Sequence, residues 1–231
     1  MAKSATPHFQ PALFKFLREL KENNNREWFE ANKSRYEADV KERAQQFISD
    51  FGPRLAKISP HFNADPRPNR GSMFRIYRDV RFSKDKSPYK TAVGIQFRHK
   101  AGKDAHAPGF YLHLQPGALF VGVGIWRPDG PSLKRIRDAI VSDPAGWKRV
   151  KRGKPFRSYF ELEGDTLKRP PKGYDPEHPL IDDLKRKDFI AGNHITQRQA
   201  VSPDFLDEFT TRCRGGAPFV RYLAKAVSVA F

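Results

Sequence analysis

Hydrophobic positions follow a helical period at the two ends of the chain and a strand period in its middle. Leu13, Phe16, Leu17 and Leu20 form one apolar stripe behind Pro11, a residue suited to a first helical turn. Trp28, Phe29, Tyr36, Val40, Phe47, Ile48 and Phe51 recur at helical spacing over a longer second stretch. Asn24 or Asn25 caps its start, and Gly52-Pro53 breaks it before a short turn over residues 55–58. The two stretches predict amphipathic helices that bury one face each. Residues 74–82 then alternate, with Phe74, Ile76, Arg78, Val80 and Phe82 on one side of an extended strand. Arg75, Tyr77, Asp79 and Arg81 fall on the other.

A second strand is predicted near residues 91–99, and residues 109–115 and 118–126 flank Pro116-Gly117 as a hairpin. A type II Pro-Gly turn matches strand twist poorly, so the connection should be longer than two residues. Pro131 opens a helix bearing Leu133, Ile136 and Ile140, and Asp143-Pro144 opens another. Residues 158–180 are turn-rich, 179–187 read as helix and 188–196 as a last strand. Ser202-Pro203 caps a helix with Phe205, Leu206 and Phe209, Gly215-Gly216 breaks it, and Pro218 opens a final helix. The pattern predicts one α+β domain over residues 1–231, with residues 1–9 as a flexible tail. Its mainly antiparallel sheet is flanked by an N-terminal helix pair and C-terminal helices.

Charge changes this picture in one region. Between Arg67 and Lys103 there are eleven Lys/Arg against Asp79 and Asp85, about half of the chain's formal +17. Clustered charge of one sign costs self-repulsion and answers to an anionic partner. Nucleic acid heads that class, followed by a small phosphorylated molecule. The stretch that follows the alternating segment is polar, contains Pro88 and reads as a loop suited to phosphate. The candidate ligand contacts are Arg75, Arg78, Arg81, Lys84, Lys86, Tyr89 and Lys90, joined by Tyr111 and His113. Alternation separates the arginines. Arg78 points among Ile76 and Val80, where it needs a carboxylate or carbonyls, whereas Arg75 and Arg81 are the ligand contacts. A bulge near Asp79 would invert the assignment beyond it.

The hairpin supplies the second candidate surface. With an even-length turn, Tyr111 lies opposite Gly122 and His113 opposite Phe120 on the face away from Leu112, Leu114, Val121 and Val123. That face is either a ligand platform or a sheet face covered by helices. If the alternating segment joins the sheet, Arg75 and Tyr77 share the face with Tyr111 and His113. His113, Tyr77 and Asp79 are the candidate acid–base groups, with a hydrogen-bonded structural histidine as the plainer role for His113. The functional alternatives are therefore an enzyme acting on a small phosphorylated or nucleotide substrate around Arg75, Tyr111 and His113, and a basic protein-interaction scaffold.

Other chemistries find little support. Cys213 is the only cysteine, which rules out an intrachain disulfide and a cysteine-based zinc site. No metal-ligand spacing, phosphate-binding glycine loop or nucleophile elbow occurs, so neither metal nor cofactor is expected. The N-terminus lacks an apolar signal region and no apolar run approaches the ~20 residues of a membrane span, which makes cytoplasm the expected location.

Several segments together carry a resemblance. Phe74-Arg-Ile-Tyr-Arg-Asp79, Arg81-Phe-Ser-Lys-Asp-Lys-Ser-Pro-Tyr-Lys90 and Gly109-Phe-Tyr-Leu-His-Leu114 are the first three. Gly122-Val-Gly-Ile-Trp126, Asn24-Asn-Arg-Glu-Trp-Phe29 and Leu167-Lys-Arg-Pro-Pro-Lys-Gly-Tyr-Asp-Pro176 complete the set. With them the chain resembles domain-of-unknown-function family 2461, a family of conserved hypothetical proteins, over most of its length. The resemblance brings no reaction, cofactor or catalytic residue with it, so function has to be argued from the site.

Overall fold

The Pro116-Gly117 hairpin lies in the middle of a five-stranded antiparallel sheet in the computed structural model, which describes residues 6–102 and 107–231. The strands are β1 (Val93–Arg98), β2 (Gly109–Leu114), β3 (Leu119–Ile125), β4 (Glu161–Glu163) and β5 (Phe189–Ile195), in the order β1-β2-β3-β5-β4. The hairpin register is the predicted one, Tyr111 opposite Gly122 and His113 opposite Phe120. Its turn closes with the Ala118 N–H donating to the Gln115 carbonyl at 2.9 Å. Gly117 sits at φ +83°, the left-handed backbone that the third position of a type II turn requires.

One face of the sheet is apolar because strand side chains alternate. Phe97, Phe110, Leu112 and Val121 are fully buried, each contributing about 1.5–3 kcal/mol relative to exposure. Helices cover that face. The N-terminal layer is α1 (Pro11–Glu22), α2 (Arg26–Ala31), α3 (Lys33–Arg35), a π-helical stretch (Tyr36–Lys41) and α4 (Glu42–Ile58). The long second helix of the sequence pattern is thus divided at Asn32, though Asn25 does cap α2 by accepting from the Trp28 N–H. Gly52-Pro53 does not break α4. Phe51 and Leu55 on either side are buried, and Phe51 packs edge-on against Phe97 at 4.6 Å. Burial of that stripe outweighs the one internal hydrogen bond that Pro53 removes.

The C-terminal layer is α5 (Gly130–Ser142), α6 (Pro144–Arg152), α7 (Lys154–Arg157), α8 (Ile181–Leu184), α9 (Gln197–Ala200) and α10 (Phe205–Ala226). Gly215-Gly216 and Pro218 lie inside α10, where the sequence predicted a break and a new helix. A Cβ built at Gly216 would lie 2.8 Å from Val123, and one at Gly215 2.8 Å from the Pro155 carbonyl oxygen. The two glycines let α10 approach β3 and α7 closely, and that packing holds the helix together. None of the helices among the described residues is long and apolar enough to cross a membrane.

Two further expectations are corrected. His8 and Phe9 are not part of a loose tail: Phe9 is fully buried against Phe47 at 4.9 Å, and His8 bonds Asp50 at 2.8 Å. Residues 1–5 of that tail, and 103–106 of the loop before β2, lie outside the described residues. Residues 74–82 do not form a strand. Phe74 donates to Gly94 of β1, but Arg78 donates to Pro88 and Lys90 donates back to Ile76. The backbone divides its hydrogen bonds between two partners, so the alternation buries Ile76 without building a continuous ladder. At Phe82 the alternation fails: a turn closed by Ser83 N–H on the Val80 carbonyl leaves this ring 96% exposed.

Candidate functional site

The sheet register sets out a site on the face away from the helices. One row across the strands reads Gln96, Tyr111, Gly122, Gly192, Glu161, and the next reads Arg98, Gly109, Gly124, Ile190, Glu163. Four glycines therefore fall together where side chains would otherwise stand. Gly109, Gly122 and Gly124 form a bare backbone floor, and Gly192 lies beneath Glu163. Around it lies a cavity of about 400 Å³ walled by Phe74, Tyr111, His113, Phe120, Trp126 and Glu163. That volume and the aromatic lining suit a small planar ligand or one unit of a larger one.

The floor glycines have different local reasons. At Gly124 φ is +120° and a Cβ would lie 2.0 Å from the Phe189 carbonyl oxygen, so no larger residue fits the β3–β5 pairing. At Gly122 a Cβ would meet only ordinary contacts, the nearest being Tyr111 Cβ at 3.5 Å. Packing does not require glycine there, yet its absence of a side chain keeps the cavity open.

Among the described residues, the polar groups Tyr111, His113 and Glu163 of the cavity are ordered. Burial pushes the pKa of His113 down and that of Tyr111 up to about 12. Burial favours the neutral imidazole, in which Nε2–H donates to Gln115 Oε1 at 3.1 Å and Nδ1 accepts from the Tyr111 hydroxyl at 2.9 Å. Phe120 stacks on the His113 ring at 4.9 Å. On the other side of the floor stands Glu163. A Cβ at Gly192 would lie 2.2 Å from Glu163 Oε1, so this carboxylate covers Gly192, with His194 Nε2 3.3 Å away.

The basic segment meets the cavity at one wall. Phe74, and not Arg75 or Tyr77, faces Tyr111, at 6.1 Å between ring centroids. Arg75 stands exposed just beyond it, and Lys90 reaches back with Nζ donating to the Arg75 carbonyl at 2.7 Å. The same Nζ lies 5.7 Å over the Phe74 ring, and desolvation, with Arg75 nearby, lowers its pKa. At a second rim the Arg127 guanidinium lies 4.7 Å over the Trp126 ring. The cavity thus carries cations at its edges and a carboxylate inside.

The remaining predicted residues are placed elsewhere. Tyr89 is buried, stacked on Phe29 at 4.1 Å, with its backbone held by Asn24. Tyr77 packs on the same cluster, 5.5 Å from Tyr89, and is far from sharing the sheet face with His113. Arg78 has found its carboxylate, Asp85, which Ser87 and Arg78 together hold well below the usual carboxylate range. Arg81 forks onto Asp79 at 2.9 and 2.7 Å and pushes its pKa down to about 2, which suits an ion-pair partner rather than a base. Lys86 donates to the Val80 carbonyl at 3.1 Å, and Lys84 is exposed. Lys103 lies outside the described residues. Among those described, no three His, Cys, Asp or Glu come together as metal ligands.

The family described as Conserved hypothetical protein (DUF2461) matches residues 12–222. The chain belongs to that family. The match runs from α1 into α10 and takes in every strand and every wall of the cavity. No curated protein matches the chain.

Proposed function

We propose that the protein binds nucleic acid, with phosphates along the cations of the basic segment and one unpaired base in the sheet cavity. Phe74 carries this reading. Its ring is a cavity wall, while Arg75 and Lys90 place two cations directly behind it. A base can stack among Phe74, Phe120 and Trp126, at about 1–3 kcal/mol per stacked base, and its phosphate then lies within reach of the rim. The cavity interior holds a carboxylate, so a phosphate belongs at the rim and a neutral ring inside. A duplex hides its bases, and single strands are the expected partner.

Fluorescence anisotropy with a labelled single-stranded oligonucleotide and its duplex tests the proposal at two salt concentrations. Single strands should bind more tightly, with log Kd rising against log salt by ~0.7 per phosphate contacted. Folded protein that leaves single strands unbound at low salt, or binds duplex equally well, refutes it.

One observation favours a second reading, an enzyme acting on a small phosphorylated or nucleotide substrate. Neutral His113, coupled to Tyr111 inside the cavity, can accept a proton and return it. Product formation from nucleoside mono- or triphosphates, lost in His113→Gln with the fold intact, would support it; unchanged nucleotides would remove it.

A further inference from the structure

Among the described residues that line the cavity, Glu163 brings the carboxylate. The Tyr111 O–H is committed to His113 Nδ1, and the His113 N–H to Gln115 Oε1. The Tyr111 hydroxyl lies over Gly94 of β1, against Phe74, whereas the Glu163 carboxylate lies over Gly192 of β5, beside the glycine floor. Strands are spaced ~4.8 Å apart, so the three strand steps from β1 to β5 separate these groups by roughly 14 Å of backbone, which leaves room for a flat ring beside the carboxylate. A ligand that meets this carboxylate must bring its own N–H donors.

Resting on the nucleic-acid reading above, we propose that the cavity selects guanine, with Glu163 accepting from its N1–H and N2 amino group. A carboxylate presents two oxygens side by side, and among the common bases guanine alone offers two adjacent donors on that edge. Adenine and cytosine place a ring-nitrogen acceptor next to their amino group, which opposes the carboxylate. Uracil and thymine place their one N–H between two carbonyls. A guanidinium side chain has the same donor pair but carries charge, and the rim cations Arg75, Lys90 and Arg127 disfavour it. Glu163 is 39% exposed at its side chain, so a ligand entering from solvent can reach it.

The test uses a thymidine oligonucleotide with one central guanine, inosine, adenine or cytosine, titrated by anisotropy into the full chain. A well-formed bidentate contact discriminates by about ten- to a hundredfold. Guanine should bind at least about tenfold more tightly than adenine or cytosine, and inosine, which lacks the N2 amino group, should lose most of that advantage. Glu163→Gln should erase the preference while leaving the other three oligonucleotides within about threefold. The guanine–inosine comparison needs no variant, so it stands even if Glu163→Gln misfolds. Equal binding of all four oligonucleotides overturns guanine selection and leaves the nucleic-acid reading intact. A guanine preference that survives in folded Glu163→Gln, or displacement by N-acetyl-arginine amide at concentrations where guanosine monophosphate has no effect, overturns it as well. Absence of binding to any oligonucleotide overturns both.

Discussion

Two glycines of the cavity floor, two residues apart on one strand and one face, should respond oppositely to the same methyl group. Gly124→Ala places a Cβ 2.0 Å from the Phe189 carbonyl oxygen at φ +120°. The backbone conformation alone costs an L residue about 1–3 kcal/mol, and separating β3 from β5 adds an overpacking cost of similar size. The total is roughly 2–6 kcal/mol. For a chain of 231 residues each kcal/mol moves Tm by about 2–4 °C, so the melting temperature should fall by at least roughly 4 °C. Gly122→Ala meets Tyr111 Cβ at 3.5 Å, an ordinary contact. It also reduces the freedom of the unfolded chain, which is worth about 0.4–1 kcal/mol where the native backbone accepts a side chain. Tm should hold or rise slightly. Thermal melts followed by circular dichroism, with urea titrations to check the slope, measure both. If the two variants lose equal stability, or Gly124→Ala melts with the parent, the account of the floor is wrong.

Three other outcomes follow from the same structure. Phe47→Ala, which empties a ring packed on Phe9, Phe205 and Phe209, should cost about 3–5 kcal/mol and lower Tm visibly; an unchanged Tm contradicts the packing of α4 on α10. Arg78→Lys should loosen the loop held by Asp85, seen as faster proteolysis between residues 79 and 87. Arg75→Lys should leave the loop intact and weaken oligonucleotide binding, and the reverse pattern refutes the division of roles. Burial depresses the pKa of both His113 and His99, so the unfolded chain takes up protons first as pH falls below about 6.5. Stability should therefore be constant above that pH and decline beneath it until the folded groups titrate, with at most about 1.4 kcal/mol per pH unit from each. His113→Gln should flatten the decline in part, and an unaltered pH profile would show that its burial does not oppose protonation.

What the sequence makes legible here depends on how far apart the cooperating residues lie. The Tyr111–Gly122 pairing follows from a turn with only a few residues in it, because turn parity fixes which side chains share a face. Arg78 and Asp85 are likewise seven positions apart, and the alternation that buries Ile76 already obliges this arginine to find a carboxylate. Phe74 replaces Arg75 at the cavity because residues 74–82 never commit to one partner strand. Hydrogen bonds to Gly94 at one end and Pro88 at the other turn the segment between them, and no local pattern reports that choice. Glu163 and Gly192 were beyond reach for a different reason. A three-residue strand, Glu161–Glu163, has no periodicity to read, and it meets the cavity only because β5 crosses to lie beside β3. A carboxylate lining an aromatic cavity on a chain of charge +17 is thus the feature that composition argues against most strongly. Net charge describes what the surface attracts over a Debye length, whereas a cavity selects by the donors and acceptors that touch the ligand. A nucleotide satisfies both, since its phosphate answers the surface and its base answers the carboxylate.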